Sequence, residues 1–194
     1  LIARRRDTLD ASAAAVTGSI NAGSVGLGLA TAEGDAADPE SLSRAWTLLA
    51  DRLGPPSVVV YNAMAVVRGD PTTLDLSDFN ATLAVNVTGA LHCAQLAVPA
   101  MKAAGTGTVL FTGGGLALEP FPAAAALAAG KAGARNLGVS LALELEPAGI
   151  HVAVVTVCGR VEPGTAFDPD LIADVYWELH SQPPGSWERE RIIS

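Results

Sequence analysis

The stretch Ser57–Ala63, SVVVYNA, sets three consecutive valines between a Gly-Pro-Pro stop and an asparagine. An apolar run this short, bounded by a turn signal, reads as a strand buried on both faces. Two further runs of the same kind follow, GTVLFT at 107–112 and IHVAVVTV at 150–157. Helical segments separate them. Ser77-Asp78 starts a helix through FNATLAVNVTGALHCAQLAVPAMKAA that stops at Gly105, and a second runs from Ala123 to Glu146 before Pro147-Ala148-Gly149. Strands joined through helices of this length pair in parallel with right-handed crossovers. The expected fold is α/β, a doubly wound parallel sheet with helices on both faces.

Outward from that centre the alternation continues. LIA at the start is a short apolar run, DTLDASAAAV suits a helix, and SVGLGLATA is a weak strand. Pro39-Glu40 opens a helix through SLSRAWTLLADRL, closed by Gly54. Near the other end, DPDLIADVYWELH forms a short amphipathic helix and WERERIIS holds a final strand. No repeat and no long linker interrupts the chain, so residues 1–194 are expected to form one domain.

Composition narrows the function. Half of the 194 residues are hydrophobic (49%), 16% are charged, and the net charge is −8. An acidic chain repels the phosphate backbone on average, so no nucleic-acid partner is expected. Cys93 and Cys158 lie far apart and read as reduced thiols of a cytoplasmic protein. His92, His151 and His180 are scattered, and no metal site is expected. No run reaches about 18 uninterrupted apolar residues, and LIARRR is not built like a signal peptide, so no membrane partner is expected either. The chain begins without Met, as a piece of a longer product would.

Several landmarks recur in a familiar order. GDAAD at 34–38 follows the weak strand, Asn62-Ala63 ends the valine strand, and LAVNVTGAL centres on Asn86. Gly130-Lys131 lies 45 residues beyond Asn86 (131 − 86 = 45), and Gly159 follows the strand 150–157. In these features the chain resembles the short-chain dehydrogenase/reductases, whose domain is Rossmann-like. The resemblance covers nearly the whole chain from the family's second strand onward. It implies Asn86 and Lys131 as active-site residues, and Arg4, Asp35, Ala36, Asn62, Ala63, Lys131 and Gly159 as residues that hold a dinucleotide. Arg4 matches the position that meets the 2′-phosphate, which implies NADP in preference to NAD. The family's helix pairing likewise implies a homo-oligomer through the two long helices, whose LGVSLALELE segment carries more leucine than a solvated helix needs. The substrate would be a small molecule with a carbonyl or hydroxyl group.

The physical reading agrees in part. Ligands of open α/β sheets bind beyond the carboxyl ends of the strands, where Asn62, Thr112 and Gly159 all fall. A lysine inside an Ala-rich helix needs a polar receiver. In the family that receiver is the nicotinamide ribose.

Two departures stand out. Leu127 occupies the position of the family's proton-handling tyrosine, and Gly114 falls at about the position of its serine. Thr112, Tyr61, Glu119 or a water on Asn86 and Lys131 are the candidate substitutes. The family's first strand and Gly-rich turn are also absent from this chain. TGSINAGSVGLG at 17–28 has glycines at suggestive intervals but no strand before it and no helix after it. Three functions follow: an NADP(H)-binding oxidoreductase with atypical or impaired hydride-transfer chemistry, an inactive binding protein on the same fold, or a cofactor-independent cyclase or isomerase. The helix 168–180, with Tyr176, Trp177 and His180, is placed where the family has its substrate lid.

Overall fold

A computed structural model describes residues 1–19 and 28–194, grouped into two compact units, Leu1–Pro56 and Ser57–Ser194. The glycine-spaced stretch 17–28 and the start of the weak strand at 24–32 therefore fall largely outside the described residues.

In the first unit, β1 (Ile2–Ala3) pairs in parallel with β2 (Ala32–Glu33). Helix α1 (Arg6–Ser19) buries Leu9, and α2 (Pro39–Leu53) buries Leu42 and Ala45. The Asp38 carboxylate accepts from the amides of Glu40 and Ser41 and so caps α2, with Pro39 at its first position.

The second unit holds a four-stranded, all-parallel sheet. Its order is β3 (Val58–Tyr61), β4 (Gly107–Thr112), β5 (Ile150–Val157) and β6 (Glu190–Ile193). All eight residues of β5 are buried, as its unbroken apolar pattern requires. Helix α5 (Ala125–Leu145) covers one face. There Gly138 lies so close to the sheet that an added Cβ would sit 2.5 Å from Val154 and 3.3 Å from Phe111. On the other face Leu110, Ala153, Val155 and Val157 cluster with Ile172 and Leu179 of α6 (Pro169–His180). The expected α/β architecture, a parallel sheet with helices on both faces, is present.

The long helix of the sequence reading is three segments. α3 (Leu76–Leu83) passes through a π-helical stretch, Ala84–Gly89, into α4 (Ala90–Ala104). Length and mean hydropathy, 29 residues at 1.3, would let this run cross a membrane. Buried Thr82 and Asn86, together with packing of α3 and the π stretch against α5, mark it instead as a core element. The π stretch carries Asn86, whose Oδ1 accepts from the Ala65 amide at 2.8 Å and whose Nδ2 donates to the Ala65 carbonyl at 3.0 Å. This amide thereby takes the place of a neighbouring strand for the loop leaving β3. Gly130 of α5 seats directly on it, since a Cβ there would lie 2.8 Å from Nδ2.

A second tie closes the far side of the sheet. Glu190 accepts two bonds from the Arg135 guanidinium, at 2.7 and 2.6 Å, and one from the Thr156 hydroxyl at 2.6 Å. These bonds hold the Glu190 carboxyl below its ordinary value, against the opposing effect of burial.

Two outcomes are expected. Asn86→Ala leaves a part-buried amide and carbonyl of Ala65 without partners and should cost about 2 kcal/mol in urea unfolding; an unchanged midpoint would contradict the pinning role. Glu190 has a folded-state pKa below its unfolded one, so its stabilisation is present above the ordinary carboxyl value of 4.5 and is lost as pH falls through the depressed value. Glu190→Gln should cost about 1 kcal/mol at pH 7 and flatten the acid limb of a pH–stability curve. An acid limb as steep as the parent's would refute that assignment.

Candidate functional site: a cleft at the carboxyl ends of the strands

Within the second unit, the carboxyl ends of β3, β4 and β5 open into a cleft of about 960 Å³. Parallel strands put all their carboxyl ends on one side, so the turns that follow them share a rim. Asn62 after β3, Thr112 to Gly115 at the end of β4, and Cys158-Gly159 after β5 all line it. Residues of α5 form one wall, with Leu127 and Lys131 facing in. Leu116, Leu118, Met64 and Val161 make the remaining surface mostly apolar, and Glu119 adds a carboxylate at the exposed edge.

Lys131 is the group that most needs an explanation. It is 8% exposed, and its Nζ donates to the Thr112 carbonyl at 2.8 Å. Burial lowers its pKa, and among the described residues no carboxylate counters that effect. The stem of the lysine lies along Gly114, where an added Cβ would sit 3.4 Å from Cε. A Cβ at 114 would therefore rest on the stem at ordinary contact distance.

The Thr112 side chain is committed elsewhere. Its hydroxyl shares a 2.5 Å hydrogen bond with the Tyr176 hydroxyl on α6. Burial raises the Tyr176 pKa, with the Thr112 bond opposing. His180 similarly meets the Thr108 hydroxyl at 3.0 Å through Nδ1. Helix α6 is thus bonded to β4 through two of the three residues proposed for a lid, while Trp177 is 69% exposed. Tyr61, another candidate proton donor, is buried and donates to the Val85 carbonyl at 2.5 Å.

The other sequence-derived residues divide clearly. Asn62, Lys131 and Gly159 come together at the cleft. Asn86 does not line it; the residue is buried beneath the loop at Ala65 and against Gly130, the neighbour of Lys131. Ala63 is exposed beside Asn62 and outside the lining. Arg4, Asp35 and Ala36 belong to the first unit. Arg4 is exposed there, and Asp35 uses Oδ1 to accept from the Ala37 amide at 2.9 Å. Cys158, which also lines the cleft, and the Thr112 carbonyl were not anticipated from the sequence. A backbone acceptor leaves no trace in side-chain identity. Among the described residues, no group of three potential metal ligands lies together.

The site offers a buried N–H donor at Lys131 and a rim amide at Asn62, groups able to bond the hydroxyls or the amide of a bound molecule. Comparison with known proteins identifies the family. The family model described as short chain dehydrogenase matches residues 3–169. A trans-4-hydroxycyclohexanecarboxylate dehydrogenase from Sinomonas cyclohexanicum is 33% identical over 135 residues, 70% of this chain and 49% of that protein. Human 17-beta-hydroxysteroid dehydrogenase type 1 is 33% identical over 139 residues, 72% of this chain and 41% of its own. The chain thus spans about half the length of these curated relatives. Among solved structures, a metagenomic short-chain oxidoreductase in complex with NADP matches with a TM-score of 0.85 at 27% identity, covering 100% of this chain and 83% of that one. An alcohol dehydrogenase from Thermococcus sibiricus, complexed with 5-hydroxy-NADP, reaches the same TM-score at 21% identity and supports the fold alone. With residues 3–169 of its 194 matched by the family model, this chain belongs to the short chain dehydrogenase family.

Proposed function

We propose that the protein is an NADP(H)-binding oxidoreductase acting on a small carbonyl or hydroxyl compound, with atypical or impaired proton transfer. The observation that carries this reading is the convergence of Lys131, Asn62 and Gly159 on one strand-end cleft. Lys131 would hold the ribose hydroxyls through N–H bonds beyond the one given to Thr112, with Asn62 and the Gly159 backbone at the nicotinamide end. Arg4, Asp35 and Ala36 are proposed, from the family resemblance alone, for the adenine half. When bound, the nicotinamide supplies or takes the hydride. Proton transfer to the substrate oxygen is the step this chain handles unusually, because Leu127 lines the cleft where the family resemblance puts a phenol. Asn86 acts at one remove, by holding the loop that follows Asn62.

A second reading is a nucleotide-binding protein without turnover, or a cyclase or isomerase that uses the cleft without redox chemistry. The apolar Leu127 wall favours it, since neither Leu127 nor Gly114 can move a proton. A cytoplasmic location and a homo-oligomer through α4 and α5 belong to the same proposal. Leu143 on α5 is 55% exposed and would be covered by a second copy.

Calorimetry with NADPH and a broad panel of aldehydes and ketones tests these readings. NADPH should bind, Lys131→Met should weaken it by about tenfold or more, and Arg4→Ala should weaken NADPH while sparing NADH. Leu127→Tyr should raise NADPH oxidation by at least about a hundredfold where a substrate is found. Failure of NADPH to bind would reject the oxidoreductase; tight binding with no turnover in either form would leave the binding protein.

A further inference from the structure

We propose that the Lys131 amine is a carbonyl-capturing site, forming an imine with small apolar aldehydes that enter the strand-end cleft. The inference goes beyond the oxidoreductase reading and needs no dinucleotide.

Four features of the cleft carry it. Lys131 stands in a wall made chiefly of leucine, valine and methionine side chains, open to a space large enough for a small organic molecule. Leu127, one turn earlier on α5, faces the same space and offers neither charge nor hydrogen bond to the amine. The recorded bond of Nζ is an N–H donated to the Thr112 carbonyl, and among the described residues no carboxylate pairs with it. Gly114 leaves the lysine stem uncrowded, at ordinary contact distance from even an imagined Cβ.

These features favour the neutral amine. A neutral lysine keeps two N–H bonds, one of which satisfies Thr112, and has its lone pair uncommitted. An ammonium in this wall lacks a counter-charge, and burial shifts the balance toward the base. The neutral amine is the nucleophile that carbonyl addition requires.

The chemistry balances within the cleft. The nitrogen lone pair forms a C–N bond to the aldehyde carbon as the C=O π bond breaks. The two amine protons and the carbonyl oxygen then leave as water, giving the imine. An apolar pocket favours that dehydration by keeping bulk water from the product. The apolar walls select aldehydes with a hydrocarbon body over charged ones, and Glu119 at the edge would repel carboxylated aldehydes.

The chain provides its own control, for its lysines are Lys102 and Lys131. Lys102 is on the surface, with 48% side-chain exposure, 3.4 Å from Glu144. Surface accessibility alone would make Lys102 the faster to react. The test treats the native protein with butanal and sodium cyanoborohydride at neutral pH, then maps adducts by peptide mass spectrometry. Hydride from the cyanoborohydride reduces the imine to a stable secondary amine. Lys131 is expected to carry roughly fivefold or more adduct than Lys102 at early times. Lys131→Arg should remove that fast adduct with the Lys102 rate unchanged, and glyoxylate should not reproduce the preference. Faster reaction at Lys102, or equal rates at both, overturns the proposal. A parallel NADPH titration keeps the two readings apart: binding without Lys131 capture sinks this inference alone, and capture without binding sinks the oxidoreductase alone.

Discussion

The bond from the Lys131 ammonium or amine to the Thr112 carbonyl is the interaction on which the rest of the site depends. A long cationic side chain buried in an Ala-rich helix is unfavourable unless a polar group receives it. The receiver sits at the last residue of β4, so the bond fixes α5 against the strand end where the cleft opens. Everything that shapes the cleft supports this contact. Gly114 gives the stem room, Gly130 lets α5 close onto the π stretch, and Tyr176 holds the Thr112 side chain from the opposite face.

The geometry of the cleft is separable from the chemistry of the residues that line it. The sheet and its two helical faces are set by burial, and they do not depend on any hydroxyl at 114 or 127. Hydrophobic packing of β5 on both sides holds the strand ends in place. The cleft has Leu127 and Gly114 in its lining, and Lys131 is the one basic side chain lining it among the described residues. Beside leucine and glycine, the amine has no carboxylate partner among the described residues.

Much of this fold is readable in the sequence, for identifiable reasons. Strands β3, β4 and β5 announce themselves through continuous apolar runs that only double burial explains. Gly105 and the Pro39 that opens α2 mark helix ends through local chemistry. The convergence of Asn62, Thr112 and Gly159 follows from parallel topology alone. Long-range polar choices were less legible. The partner of Asn86 is the backbone of Ala65, 21 residues away, a contact that side-chain identity does not announce. The π stretch is equally silent, because its composition matches the helices on either side. Tyr176 and His180 are bonded to β4 threonines across 64 and 72 residues of chain, pairings that no local pattern signals.

The central claim is that Lys131 faces a cleft that receives a nicotinamide nucleotide. Selective isotope labelling of lysine gives side-chain NMR signals for Lys102 and Lys131 alone. Addition of NADPH should shift the Lys131 signal and leave that of Lys102 in place. A shift confined to Lys102, or no change in either signal at saturating NADPH, would contradict the account.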